Sequence, residues 1–422
     1  MRKPITTIWV LILTIIVLTA NAKQTGPSGF VKQEGTSLTI DGKPYTFVGV
    51  NFWYGAILGS EGQGGDRQRL CRELDRLHAL GLDNLRILVG SDGEHGVRHK
   101  VEPTLQKAPG EYNDTILAGL DFLLAEMDKR DMKAVLYLNN SWEWSGGYGY
   151  YLEQSGVGKA PISDEVSWEE YTRHMEQFAT NEQAQQLFFD YVRFIISRRN
   201  RYTSIYYKED PAIMAWQIGN EPRAFSQAAK QPFAQWLSKA SALIRSLDSN
   251  HLISIGSEGI IGCEVDSALY EQVSSDPNID YMTVHVWPYN WRWVRKDSLL
   301  ADVPEACRQS AEYLRPHITI ARRLQKPLVI EEFGYPRDEF SFLPGSSTEA
   351  RDNYFAFMLS LVKEEPVISG CNFWAWGGEA RPQHEWWQVG DPYVGDPAQE
   401  PQGLYSVFSC DSTTLQQIPR DK

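Results

Sequence analysis

The chain has 422 residues, 42% of them hydrophobic and 23% charged, so it can bury a large core as either two ordinary domains or one large barrel. Its formal net charge of -13, from 41 Lys+Arg against 54 Asp+Glu, argues against a polyanionic partner such as nucleic acid and suits a neutral ligand. Five cysteines, Cys71, Cys263, Cys307, Cys371 and Cys410, allow at most two internal bridges and offer no close Cys or Cys/His pairing for a metal.

In chain order, residues 1 to 22 read "MRKPITTIWVLILTIIVLTANA". Arg2 and Lys3 precede an apolar run from Ile5 to Leu18, and Ala20 and Ala22 end it in an A-x-A arrangement. These are the three regions of a secretory signal peptide, and the run is short for a membrane span, with an uncleaved anchor as the alternative. Residues 23 to 422 are then expected to be a single exported domain, secreted or periplasmic, with no membrane association after cleavage. "SLTIDGKPYTF" reads as a hairpin turning at Asp41-Gly42. After it come eight short apolar runs, at 45–52, 84–90, 133–139, 213–219, 252–257, 281–287, 326–334 and 369–376. Amphipathic helical stretches lie between them at 66–81, 114–130, 181–203, 226–247, 303–325 and 347–365. Buried strands alternating with helices make a parallel α/β sheet, and eight such units predict a closed (β/α)8 barrel, with the hairpin as a lid on its floor. An open doubly wound sheet would want a Gly-rich phosphate loop after its first strand, where "GVNFWYG" stands instead.

In such a barrel the C-terminal ends of the strands carry the chemistry. They offer Asn51 with Trp53 just beyond it, Arg86, Asn139 and Asn140, Asn220 and Glu221, Glu258, His285, Glu331 and Glu332, then Trp374 and Trp376. Glu221 precedes Pro222, a position biased out of the α region towards extended backbone, so a strand is expected to end there. A single strand-end His supplies no metal cluster, no G-x-S-x-G elbow is present, and no cofactor motif appears. Two carboxylates from the fourth and seventh strands, set among aromatics, are the equipment for glycoside hydrolysis.

The pieces "NLRI" with Arg86, "GNEP" with Asn220 and Glu221, "VHVW" with His285, "EEFG" with Glu332 and "NFWAW" with Trp374 resemble glycoside hydrolase family 5, over nearly all of residues 30 to 410. "NEPR" and "HVWPYNW" are most similar to its β-mannanase branch. The resemblance implies Glu221 as acid/base, Glu332 as nucleophile and Arg86 as the cation that keeps Glu332 ionised. It also implies Asn220 on the sugar 2-hydroxyl, His285 beside the acid/base and Trp374 under the sugar being cleaved. Glu331 rivals Glu332 as nucleophile, since consecutive residues of a regular strand face opposite sides, and only the family spacing selects Glu332. Where the family often has Tyr two residues after the His, this chain has Trp287, whose indole can donate but cannot accept or ionise.

Aromatic loops at 139–151, 287–293 and 384–393 could add sugar subsites, Trp142 among them, since sugar faces stack on aromatic rings. The expected function is retaining hydrolysis of β-1,4-mannosidic bonds in mannan, glucomannan or galactomannan by an endo-β-1,4-mannanase acting as a monomer. The alternatives are an exo-acting β-mannosidase or a β-1,4-glucanase of the same family, and a non-catalytic carbohydrate-binding barrel. Internal cleavage is favoured if the long segments 139–180 and 377–410, which should emerge on the catalytic face, line an open cleft.

Overall fold

A computed structural model of the chain describes residues 29–419. The expected signal peptide lies outside the described residues. Strands β1 (Val31–Glu34), β2 (Ser37–Ile40) and β3 (Lys43–Pro44) form a small antiparallel sheet. Its β2–β3 turn holds Asp41 and Gly42 at φ 51° and 76°, the paired positive φ values of a two-residue hairpin turn.

Eight parallel strands follow: β4 (Phe47–Asn51), β5 (Asn84–Leu88), β6 (Lys133–Tyr137), β7 (Ile213–Gln217), β8 (Leu252–Ser254), β9 (Met282–Val286), β10 (Leu328–Phe333) and β11 (Ile368–Phe373). Their order is β8-β7-β6-β5-β4-β11-β10-β9, each neighbour paired in parallel. The seam between β9 and β8 carries no ladder. It is bridged by the Asp280 N–H to the Ile253 carbonyl at 2.9 Å and the His285 N–H to the Glu258 carbonyl at 3.2 Å, so the sheet comes round into a barrel. Strands β5, β7, β9, β10 and β11 are buried along their whole length, as continuous apolar runs predict for a sheet covered on both faces. Gly49 makes room at one tight point, because a Cβ there would stand 2.2 Å from the Asn84 carbonyl oxygen of β5.

The hairpin is the expected floor. Val31 and Leu38 pack with Phe47, Val135, Met214, Leu252, Tyr281 and Val329, residues of the barrel's N-terminal end. The six expected helices are present as Arg67–Ala79, Asp114–Asp128, Glu182–Ile196, Lys230–Leu247, Val303–Leu324 and Glu349–Glu364. Several begin where an Asp or Asn side chain accepts a backbone N–H of the first turn, as Asp66 does from Arg69 at 2.8 Å and Asn181 from Ala184 at 2.9 Å. Further helices, not expected from periodicity, break up the long segments: Gly147–Gln154 and Trp168–Met175 after β6, and Ser267–Ser274 before β9. The segment after β11 closes on itself through β12 (Trp376–Gly378) paired with β13 (Val407–Phe408). None of the five cysteines is bonded to another.

Candidate active site

Arg86, on β5, is fully buried and radiates four contacts. Its Nε donates to Gln217 Oε1 at 2.8 Å, one terminal nitrogen donates to Asn51 at 3.1 Å and to Glu332, and the other donates to Asn220 Oδ1 at 2.8 Å. The Tyr137 ring lies under its guanidinium at 4.6 Å. Strand ends that the sequence keeps far apart are thus drawn to one cation.

The expectation that Glu331 and Glu332 face opposite sides is overturned by an irregularity. The register of β10 against β9 shifts between Ile330 and Glu332, with Ile330 opposite Val284 and Glu332 opposite His285, so Glu331 is the extra residue of a bulge. Both carboxylates therefore face the barrel axis. Glu332 reaches the mouth, within 3.2 Å of His285 Nδ1. Glu331 lies in the layer below, where Gln217 Nε2 stands 2.7 Å from each of its oxygens.

At the end of β7 the backbone leaves the strand. Asn220 bridges to Asn140, and Glu221 adopts φ 51°. The expected extended geometry is thus corrected: the residue before Pro222 does avoid the right-handed helical region, but by turning left-handed. Asn220 and Glu221 can then both face the mouth. The turn is held on two sides, by the Asn220 N–H to the Asn139 carbonyl at 2.8 Å and the Glu221 N–H to the Gly256 carbonyl at 2.9 Å. Gly256, at φ 81°, has to be glycine, since a Cβ would lie 1.9 Å from the Gly219 oxygen.

Glu221 Oε1 accepts from His285 Nδ1 at 2.8 Å and Oε2 from the Trp142 indole N–H at 2.5 Å. Single side-chain atoms of Glu221, His285 and Glu332 lie within 4.8 Å of one another. That spacing would also suit a metal ion, but here the positive charge beside the carboxylates is supplied by Arg86 and the imidazole. Burial opposes charge on His285, yet Glu332, Glu221 and Glu331 outweigh it and lift the ring to about 10. Burial pushes Glu332 up to about 7 against His285 and Arg86. Glu221 is also raised by burial, but His285, Arg223 and the Trp142 N–H hold it below the usual carboxylate range. Below neutral pH the pair therefore keeps one proton between two carboxyls.

A cavity of ≈ 350 Å³ opens over this group, lined among others by Trp142, Trp287, Asn290, Trp374 and Glu400. Trp374 and Trp287 stand edge to face at 6.1 Å, and no hydrogen bond joins Trp287 to Glu332 among the described residues. Trp53 is the candidate that the structure removes from the surface. It is 2% exposed, its indole N–H donates to the Gly395 carbonyl at 2.7 Å, and it packs against Trp144 and Tyr393. Trp376 is fully buried, with its N–H on Glu73 at 2.9 Å. Trp386, 41% exposed, stacks on His99 beside a separate depression of ≈ 490 Å³ that takes in none of Arg86, Glu221, His285 and Glu332.

Three participants were not singled out by sequence. Gln217 sits inside a strand run and bridges Arg86 to Glu331. Arg223, the last letter of "NEPR", pairs with Glu258 at 2.5 Å and lies over the Trp142 ring at 5.1 Å, which steadies the indole on Glu221. Burial raises Glu258 to about 7 despite that partner. Glu400, in the segment between β12 and β13, brings to the cavity an Oε2 atom that is sealed from solvent and has no hydrogen-bond partner, and burial together with Asp396 raises its carboxyl well above the usual range. Arg223 was within reach of motif reading. Nothing around Glu400 in the sequence marks it.

The family model described as "GH family 5 beta-mannosidase-like" matches residues 28–421. A mannan endo-1,4-beta-mannosidase of Oryza sativa is 28% identical over 367 residues, covering 83% of this chain and 78% of its own. The crystal structure of a glycoside hydrolase family 5 mannosidase from Rhizomucor miehei superposes with a TM-score of 0.83 at 32% identity, covering 92% of this chain and 96% of that one. The endo-beta-1,4-mannanase of Thermotoga petrophila shares the fold, with a TM-score of 0.68 at 22% identity over 90% of this chain and 76% of that one. With an eight-stranded barrel, two strand-end glutamates meeting over a buried arginine, and a family match over the whole described length, the chain belongs to the β-mannosidase-like group of glycoside hydrolase family 5.

Proposed function

We propose that this protein hydrolyses β-1,4-mannosidic bonds with retention of configuration, Glu332 being the nucleophile and Glu221 the acid/base. The observation that supports this most is the approach of the two carboxylates, whose nearer atoms lie within 4.8 Å. So close an approach suits direct attack on the sugar, whereas inverting enzymes keep their carboxyls ~6.5–9.5 Å apart to admit a water. In the free site burial leaves the shared proton on Glu332, so the proton passes to Glu221 as a glycosidic oxygen arrives there, and Arg86 steadies the charge that Glu332 then carries. Glu332 attacks the anomeric carbon as Glu221 protonates the leaving oxygen. In the second step Glu221 takes a proton from the incoming water, and the glycosyl–Glu332 ester is released. Asn220, its Oδ1 engaged by Arg86, turns its amide to the 2-hydroxyl, and Trp374 forms the floor under the ring.

Cleavage within polymeric mannan is the first reading, and the plant relatives, mannan endo-1,4-beta-mannosidases by name, support it. The second reading, chain-end cleavage, is favoured by the segment that covers Trp53 at Gly395 and goes on to bring Gln399 and Glu400 into the cavity wall. Early products from reduced mannohexaose separate the two: a spread of di-, tri- and tetrasaccharides means internal cleavage, and mannose or mannobiose alone means chain-end cleavage. Products inverted at the anomeric carbon, by NMR of fresh digests, would sink the retaining mechanism in either case. We also propose export, on the strength of residues 1 to 22; mass spectrometry of exported protein should find Lys23 at the N-terminus.

A further inference from the structure

Glu331 is not needed by the double displacement as described, yet it occupies a costly place. It is 1% exposed, at the centre of a barrel, and it is there because β10 bulges. A regular strand would have turned it outward. Its surroundings identify what it serves. Arg86 Nε lies 3.6 Å from its Oε2, and Gln217, which accepts from that same Nε, donates to Glu331 with its amide. On the other side, His285 Nε2 is buried with no hydrogen-bond partner, and Glu331 Oε2 stands 3.8 Å from it.

We propose that Glu331 is a positioning residue: through the bulge it stands beneath both cations of the site, Arg86 and His285, and fixes how the catalytic carboxyls above hold their shared proton. Arg86 touches Glu332 and Asn220, and His285 touches Glu221 and Glu332, so Glu331 acts on every proposed catalytic group through one of two intermediaries. The charged groups facing His285 are Glu221 from the β7 end, Glu331 and Glu332 from β10, and Glu258 from beyond β8, with Arg86 of β5 across the shared Glu332. Those facing Glu331 are Arg86 and His285, and its charge also bears on Tyr137, Tyr270 and Tyr281. Removing the negative charge of Glu331 leaves Arg86 and His285 less balanced, so every neighbouring group loses its proton more readily.

The inference rests on the retaining reading above, and the test keeps the two apart. Glu331→Gln preserves shape while removing charge. On an aryl β-mannoside both limbs of its kcat/KM profile should move to lower pH by ~1 unit relative to wild type. Glu331→Asp, which retains the charge, should return the limbs towards their wild-type positions. A packing role alone would lower kcat/KM at every pH and leave the limbs in place, and that result overturns the proposal. A wild-type enzyme inactive on β-mannosides would instead overturn the parent reading. Should the Gln variant not fold, ¹⁵N-histidine spectra of Glu331→Asp against wild type decide the matter. Drawing the carboxylate back from His285 Nε2 should move the Nε2 signal of His285, and a signal unmoved from wild type would refute the arrangement.

Discussion

The layer of side chains at the C-terminal strand ends and the segment between β12 and β13 both face the cavity, but they are held in place by different means. In the strand-end layer, position comes from the backbone ladder. Arg86, Gln217, His285 and Glu332 lie on four strands, and their separation is set by strand spacing before any side chain makes a contact. The segment has only one short strand pair at its ends. Between them its shape depends on single side chains: Asp396 accepts from the N–H groups of Gly403 at 2.7 Å, Tyr405 at 2.7 Å and Ser406 at 3.2 Å. Gln402 donates to the carbonyls of Asp396 and Pro397, at 3.0 Å each. Arg351, from the helix beneath, reaches the carbonyls of Ser406 at 2.9 Å and Leu404 at 3.0 Å. The strand-end layer is thus anchored in the barrel, whereas the part of the cavity wall that carries Gln399 and Glu400 depends on a structure that one mutation can loosen.

The largest expected effect lies on the barrel side. Glu332→Ala should cost about 10⁴-fold or more in kcat, and a fluorinated mannosyl inactivator should label Glu332 in the wild type; a label on Glu331 would reverse the assignment. Glu221→Ala should lose natural substrates but keep part of its turnover on activated aryl mannosides, with azide restoring rate as the mannosyl azide. Asp396→Ala probes the other side. Leaving several buried N–H groups without an acceptor should destabilise the segment by about 2–4 kcal/mol. Limited proteolysis should then cut within 385–406, and cleavage of aryl mannosides should fall far less than the pattern of oligosaccharide products shifts. Equal loss on both kinds of substrate would erase the distinction between the regions.

Dependence on pH is a subtler check of the strand-end layer. Glu332 is raised to about 7, so the proton shared by the pair is lost as pH rises through that value. With it goes the acid that protonates the leaving group, so kcat/KM should decline above about pH 7; a profile flat to pH 9 would contradict the shared proton. The smallest effect is expected from Trp142→Phe, which keeps a ring but removes the N–H on Glu221. Losing one hydrogen bond to a charged group should cost roughly 10- to 100-fold. Its alkaline limb should move up, because a carboxylate with one donor fewer holds its proton longer.

How far the sequence could be read follows the same division. The eight strands and six of the helices announce themselves by period, and Arg86, Asn220, Glu221, His285, Glu332 and Trp374 stand where motifs at strand ends place them. The bulge at Glu331 was foreshadowed only as a conflict, two neighbours that could not both face inward on a regular strand, and the left-handed turn at Glu221 only as a strand end before Pro222. Backbone irregularity resolves each, and it leaves no periodic trace. Trp53 was misjudged because a tryptophan beyond a strand end looks the same in sequence whether a loop covers it or not. Glu400 was invisible for the related reason that its place depends on Asp396 and Gln402, single residues bonding to backbone.

The floor hairpin has a practical consequence. Gly29 is fixed there, its carbonyl taken by Lys133 at the start of β6 and its N–H by Asp41. The chain therefore enters the domain at the pole opposite the catalytic mouth. A support, a cell surface or a fusion partner joined ahead of Gly29 would hold the enzyme with its mouth turned outward to the polysaccharide, which makes the N-terminus the end to use for immobilisation.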